Sequence, residues 1–198
     1  MLETHALRRL RVGPIDLILN DGTCLAIEGK SGSGKSVLMR MIADLDPHDG
    51  EMTLDGKACS SMPAPAWRRQ VTYVPAESGW WADEVHAHFS SGTDFAVLLP
   101  ALGIPVDAAS WPVSRLSTGE RQRLSLLRAL SPDTRVLLLD EPTSGLDVES
   151  VGLVEALMRD RLAKGIAILM VTHDPEQAER LASRRLTLSD GRLESQQR

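Results

Sequence analysis

Aromatic residues are scarce in this 198-residue chain. It has two Phe, one Tyr and four Trp, and none of the seven precedes Trp67. Cysteine is scarcer still. Cys24 and Cys59 have no metal-ligand spacing and cannot build a disulfide framework, which points to a reducing, soluble compartment. No long apolar run exists. The longest apolar stretch, around 95–106, is interrupted by Pro100, Gly103 and Pro105, too short and broken to span a bilayer. The first nineteen residues carry Arg8, Arg9 and Arg11 where a signal peptide needs an apolar segment. A basic excess is also missing: the formal net charge is −5, which gives no ground for non-specific nucleic-acid binding. Lysine is rare, with 18 arginines to 4 lysines, and N-K-x-D, the base-reading motif of GTPases, does not occur. Against these absences, 42% apolar and 25% charged residues are ordinary for a globular protein of one domain.

Strand-like and helix-like segments alternate, the pattern of an α/β domain with a largely parallel sheet. Strands are expected at 23–28, 71–74, 135–139 and 166–171. Helices are expected at 35–45, 117–130, 148–164 and 175–183, with a broken helical region over 84–103. The 148–164 helix places Val151, Val154, Met158 and Leu162 on one stripe, and Gly165 is placed to end it. Leu186, Leu188 and Leu193 flank Asp190-Gly191, the signature of a tight hairpin.

Between the first strand and first helix, Gly29-Lys30-Ser31-Gly32-Ser33-Gly34-Lys35-Ser36 fits G-x-x-x-x-G-K-[ST] in full. The glycines let successive backbone N–H groups turn toward phosphate oxygens, and the helix that follows adds the positive end of its dipole. Lys35 is expected to reach the β- and γ-phosphates, and Ser36 to bind Mg²⁺ through its hydroxyl. Further on, Val136-Leu137-Leu138-Leu139 runs into Asp140-Glu141. A buried parallel strand accounts for the apolar run, and ligands bind at the carboxyl ends of such strands. Asp140 is a candidate for holding Mg²⁺, and Glu141 for polarising an attacking water as general base.

Three further segments complete an ordered set: Leu116-Ser117-Thr118-Gly119-Glu120, Ser144-Gly145-Leu146-Asp147 and His173. Over essentially the whole chain, from about Leu7 to Arg192, this set resembles the ATP-binding cassette ATPases, the motor subunits of ATP-driven transporters. The resemblance implies a P-loop NTPase fold: a mostly parallel core sheet, a small N-terminal antiparallel β part and a short helical subdomain inserted at about 76–131. It implies an ATPase that binds ATP and Mg²⁺, with Glu141, His173 and Lys35 as catalytic residues. Gly29 to Val37 would hold the nucleotide. Two cassettes would pair head to tail, so that Ser117, Thr118, Gly119, Glu120 and Asp147 serve the partner's nucleotide. Ser117 to Glu120 also read as a capping box, and Asp147 as a helix cap, roles compatible with the first. The chain would drive a separate membrane permease from the cytoplasmic face of the inner membrane, with no nucleic-acid partner. A soluble DNA- or ribosome-associated ATPase, or a nucleotide-gated clamp with little hydrolysis, are the alternatives.

The chain departs from the family's pattern at three places. Thr118 and Glu120 stand where the family has glycine and glutamine, while Ser117 and Gly119 are kept. Ala76 stands where the family places a glutamine that touches Mg²⁺ and relays nucleotide state, and the adjacent Glu77 is a candidate replacement as metal ligand. The family's adenine-stacking aromatic has no counterpart, which leaves Arg11, Arg9 or Val12 beneath the base and predicts weak discrimination between ATP and GTP. Trp80 and Trp81 suit a docking surface for the permease or packing within the helical subdomain. His86 and His88, two apart, would not share a helix face and are poor metal ligands. Trp67 and Trp111 read as packing residues, and Arg121, Arg123 and Arg128 as a solvated or interface face.

Overall fold

Ten strands and six α-helices follow one another over residues 1–195, the part of the chain that the computed structural model describes. In chain order they are β1 (Leu2–Arg9), β2 (Val12–Leu19), β3 (Cys24–Glu28), α1 (Lys35–Ile42), β4 (Asp49–Leu54), β5 (Lys57–Ala58), α2 (Ala64–Gln70) and β6 (Val71–Val74). There follow α3 (Phe95–Leu98), α4 (Thr118–Arg128), β7 (Val136–Asp140), α5 (Val148–Ala163), β8 (Ala167–Val171), α6 (Pro175–Leu181), β9 (Arg184–Ser189) and β10 (Arg192–Ser195).

The strands form two sheets. The six-stranded sheet has the order β10-β9-β3-β8-β7-β6 and is parallel except for the β9–β10 hairpin. The second sheet is antiparallel, in the order β2-β1-β4-β5. This is the expected α/β architecture with an N-terminal antiparallel part. All five residues of β7 and of β8 are buried, as their unbroken apolar runs require of strands covered on both faces. Side chains alternate between the faces. Leu25, Ile27, Val136, Leu138, Leu169 and Val171 pack toward α1 and the antiparallel sheet. Cys24, Ala26, Leu137, Leu139, Ile168 and Met170 pack toward α4 and α5. Trp67 is fully buried, and its indole N–H donates to the Ile42 carbonyl at 2.9 Å, tying α2 to α1.

Several element ends differ from expectation. Helix α1 stops at Ile42 rather than Leu45, because Asp44 takes a left-handed conformation, φ 53°. The 84–103 region holds only the four residues of α3 and short 3₁₀ turns; Pro100 and the left-handed Gly92 and Gly103 prevent more. The strand pair β4–β5 and helix α2 were not among the expected elements. Their hairpin turns at Asp55-Gly56, both left-handed, with the same chemistry as Asp190-Gly191. In α5 the expected stripe is present, with Val154 and Met158 buried and Val151 and Leu162 half-buried, but Glu155 is buried beside it. No described helix is long and apolar enough to cross a membrane.

Candidate active site

The loop from Gly29 to Gly34 leaves β3 and feeds α1. Gly29 (φ 147°) and Gly34 (φ 102°) lie in conformations that side chains rarely adopt. A Cβ on Gly29 would meet the Leu188 carbonyl oxygen at 2.5 Å, and one on Gly34 would collide with Val12. Helix α1 has no side-chain N-cap, so its first N–H groups remain available to an anion. Lys35 is 8% exposed and folds back over the loop. Its ammonium donates to the Gly29 carbonyl at 2.7 Å and the Lys30 carbonyl at 3.2 Å. Val37 sits half-buried in the first turn behind it.

Strand β7 delivers Asp140 beside this helix start. The Ser36 hydroxyl donates to Asp140 Oδ2 at 2.7 Å, across 104 residues of sequence. Tyr73, from the neighbouring β6, donates its phenol to the same oxygen at 3.0 Å. Burial first, then the Asp140 charge, push the Tyr73 phenol up and keep it a donor. Among the described residues no cluster of three or more His, Cys, Asp or Glu side chains could hold a metal. Ser36 and Asp140 instead offer two hard oxygens, a set that fits Mg²⁺, which keeps waters and takes its remaining ligands from phosphates.

Glu141 follows with a left-handed backbone, φ 51°, held by hydrogen bonds on both sides. Its N–H donates to the Val171 carbonyl at 2.9 Å, and Gln122 Nε2 donates to its carbonyl at 2.7 Å. The backbone N–H of His173, just past β8, donates to Glu141 Oε2 at 3.3 Å. The His173 ring Nε2 lies 3.2 Å from Oε1 without hydrogen-bond alignment. Burial raises the Glu141 carboxyl above its ordinary range, and the nearby Asp140 adds to this. His173 and Lys35 oppose it without cancelling it. A carboxylate raised in this way is suited to accepting a proton.

The other expected residues lie elsewhere. Ser117 caps α4 in a reciprocal box: Glu120 N–H donates to Ser117 Oγ at 3.2 Å, while the Ser117 N–H and hydroxyl both donate to Glu120 Oε2 at 2.8 Å. Burial pushes Glu120 up, but the Ser117 donors, with Arg123 and Arg115, outweigh it and hold the carboxyl below its usual range. Thr118 and Gly119 form the first turn of α4. Asp147 caps α5, accepting from Ser150 N–H at 2.8 Å, and that bond is the main reason its carboxyl lies low. Among the described residues no hydrogen bond or ion pair links Ser117 to Glu120, or Asp147, with the loop at 29–36. Glu77 is exposed and forms no hydrogen bond or ion pair with the described residues.

A cleft of about 650 Å³ opens beside the loop. Arg11, Gly29 to Ser33 and Thr187 to Gly191 line it, so Arg11 does stand next to the phosphate loop. Arg121, Arg123 and Arg128 do not form a free solvated face. They donate to the carbonyls of Val113, Leu102 and Gly79 respectively, binding α4 to the segment before it. His88 packs edge-on to Trp80 and Trp81, and Arg128 lies over both indoles. Sequence reasoning assigned no role to Tyr73, Gln122 or Gln177. Gln177 Nε2 donates to Thr143 Oγ1 at 2.8 Å, just past Glu141.

A phosphate loop at a switch between parallel strands, an exposed serine bonded to a buried aspartate, and an adjacent carboxylate that burial pushes upward together define a P-loop nucleotide-binding protein. More narrowly, residues 12–144 match the ABC transporter family, and the chain belongs to it. It is 38% identical over 188 residues to an aliphatic sulfonates import ATP-binding protein of Cupriavidus necator, covering 89% of this chain and 60% of that protein. It is 35% identical over 199 residues to a macrolide export ATP-binding/permease protein of Aeromonas hydrophila, covering 91% of this chain and 30% of that protein. The fold matches an ATP-binding cassette solved as a dimer in a post-hydrolysis state with ADP and Pi. That match has TM-score 0.87 at 22% identity and covers 100% of this chain and 98% of the other.

Proposed function

We propose that this chain is the ATP-hydrolysing subunit of a transporter, working with a membrane permease that is a separate polypeptide. The observation that carries the reading is the convergence of Ser36, Asp140, Glu141 and His173 beside the Gly29–Gly34 loop.

The nucleotide's phosphates lie against the loop N–H groups and the start of α1. Lys35 leaves the Gly29 and Lys30 carbonyls and turns to the phosphates, so binding exchanges two internal hydrogen bonds for a charge-assisted contact. Ser36 and Asp140 would hold Mg²⁺, which would offset charge on the phosphates. Water attacks the γ-phosphorus and the bond to the ADP oxygen breaks. The water's proton passes to Glu141, whose carboxyl His173 holds in place. Two copies close head to tail over two nucleotides, each lending Ser117, Thr118, Gly119, Glu120 and Asp147 to the other. Glu77 would supply the metal contact that Ala76, with no polar side-chain atom, cannot. Arg11 lies beneath the base.

The permease contact lies near residues 76–89. Residues 70–114 carry five carboxylates and no Lys or Arg, and Trp81 is 71% exposed at this surface. Arg128 lies over the Trp80 and Trp81 rings, and a surface of Trp and Arg suits the core of a protein–protein interface. The assembly sits on the cytoplasmic face of the membrane.

Tagged Glu141→Gln protein, loaded with ATP and incubated with detergent-solubilised native membranes, tests this. Co-purification of a multi-span membrane protein, released by nucleotide removal, is the expected result. Recovery of ribosomes or DNA instead would favour the soluble ATPase, and a wild-type protein that binds ATP without releasing phosphate would favour the clamp.

A further inference from the structure

Asp140 Oδ2 accepts two hydroxyl donors, Ser36 at 2.7 Å and Tyr73 at 3.0 Å. The second follows from sheet register. Strands β6 and β7 run parallel with Tyr73 opposite Leu138, so the phenol lies on the face that carries Leu138 and Asp140. Tyr73 is the single tyrosine of the chain and half-buried. Its strand ends at Val74 and leads through Pro75 toward Trp80 and Trp81. Ala76, in the same segment, has no polar side-chain atom, and Glu77 is exposed without a described partner.

We propose that Tyr73 is the positioning residue that orients Asp140 toward the cation-bound nucleotide, and that it ties this carboxylate to the strand leading to the half-buried Trp80 and the exposed Trp81. The proposal rests on the ATP-binding reading above. Ser36 has one O–H and two lone pairs, so a hydroxyl that ligated Mg²⁺ through its oxygen would still donate to Asp140, but its position would then be set by the cation. Tyr73 cannot reach the phosphates by the same route, because it is fixed in the sheet beside Asp140. It is therefore the donor to Asp140 whose place is set by the sheet and not by the cation.

The test is equilibrium binding of a fluorescent ATP analogue to wild type and Tyr73→Phe, with saturating Mg²⁺ and with EDTA. Phenylalanine keeps the ring packing and removes only the donor, and a thermal melt checks that the variant is folded. The expected result is an affinity for Mg-ATP about tenfold weaker in the variant, the size of one hydrogen bond to a charged group, with metal-free affinity unchanged. Equal affinities under both conditions, or an equal loss under both, would overturn the assignment. Wild-type protein that binds no nucleotide at all would overturn the ATP reading itself and this assignment with it.

Discussion

His173 holds Glu141 with its backbone, through an N–H bond of 3.3 Å to Oε2, while its exposed ring stands 3.2 Å from Oε1. The backbone contact survives substitution of the histidine side chain; the ring contact does not. Glu141→Gln keeps an acceptor for the N–H but removes the base. Phosphate release from Mg-ATP should fall by about 10²–10⁴-fold in Glu141→Gln, with ATP binding retained. An undiminished rate would assign the base to another residue.

The same carboxyl predicts a pH dependence. Burial raises Glu141 above the ordinary 4.5, and a base must be ionised to act. Wild-type hydrolysis should therefore fall on acidification at a higher pH than an ordinary glutamate would give. Stability carries the opposite sign. A folded-state pKa above the unfolded one makes the ionised carboxylate a cost once pH exceeds the ordinary value. Glu141→Gln should thus melt at a higher temperature than wild type at neutral pH, and the difference should vanish near pH 4. A gap that persists in acid would mean that charge is not its cause.

Arg11 lines the nucleotide cleft and forms no hydrogen bond or ion pair with the described residues. A guanidinium stacks on any purine without reading its edge. GTP should therefore compete with fluorescent ATP within about threefold of unlabelled ATP, a difference well under one hydrogen bond. Arg11→Ala should weaken both nucleotides alike. A strong preference for ATP would show that an edge-reading group is present.

What the sequence made legible was what local pattern encodes. The unbroken apolar runs of β7 and β8 announced strands buried on both faces, and Asp190-Gly191 announced its hairpin. The loop at 29–36 and the Asp140-Glu141 pair could be assigned because each is contiguous. Tyr73 could not, because its contact with Asp140 depends on β6 lying next to β7, a fact of sheet order 67 residues apart in sequence. The buried Glu155 was hidden for a related reason. Its partners are Arg159 on its own helix and Arg180 on α6, and only the packing of α6 on α5 brings the second to it.

Glu155 gives a stability prediction of the opposite pH sign to Glu141. Burial pushes its carboxyl up, but the hydrogen bonds and charges of Arg180 and Arg159 outweigh this and leave it lowered. A lowered folded-state pKa contributes stability above the ordinary value and loses it as pH falls through the folded value. Glu155→Gln should be less stable than wild type in urea at neutral pH, and the two midpoints should converge in acid. Parallel curves at all pH values would mean that the ion pairs contribute nothing and packing alone is lost.

Gly191 joins the fold's far edge to the nucleotide cleft. Its carbonyl accepts from Gly13 N–H at 2.8 Å, and a Cβ at its position would collide with the Arg11 carbonyl oxygen. Its φ of 76° follows Asp190 at 48°, the pair of left-handed residues that a type I′ turn needs. Alanine here meets two separate obstacles, backbone strain and a collision that no side-chain rotation can relieve. Gly191→Ala should lower unfolding free energy by about 1–3 kcal/mol, read from denaturant midpoints. The turn and Arg11 must separate to admit the methyl group, so the cleft wall moves as well. Nucleotide affinity should fall in the folded variant, and, if Arg11 lies beneath the base as proposed, more for ATP than for inorganic triphosphate. Asp190→Asn keeps the turn geometry, since asparagine tolerates the left-handed conformation, and should leave stability within about 0.5 kcal/mol of wild type. If Gly191→Ala were as stable as wild type and bound ATP as tightly, the turn's close seat on Arg11 would not be what shapes this end of the cleft.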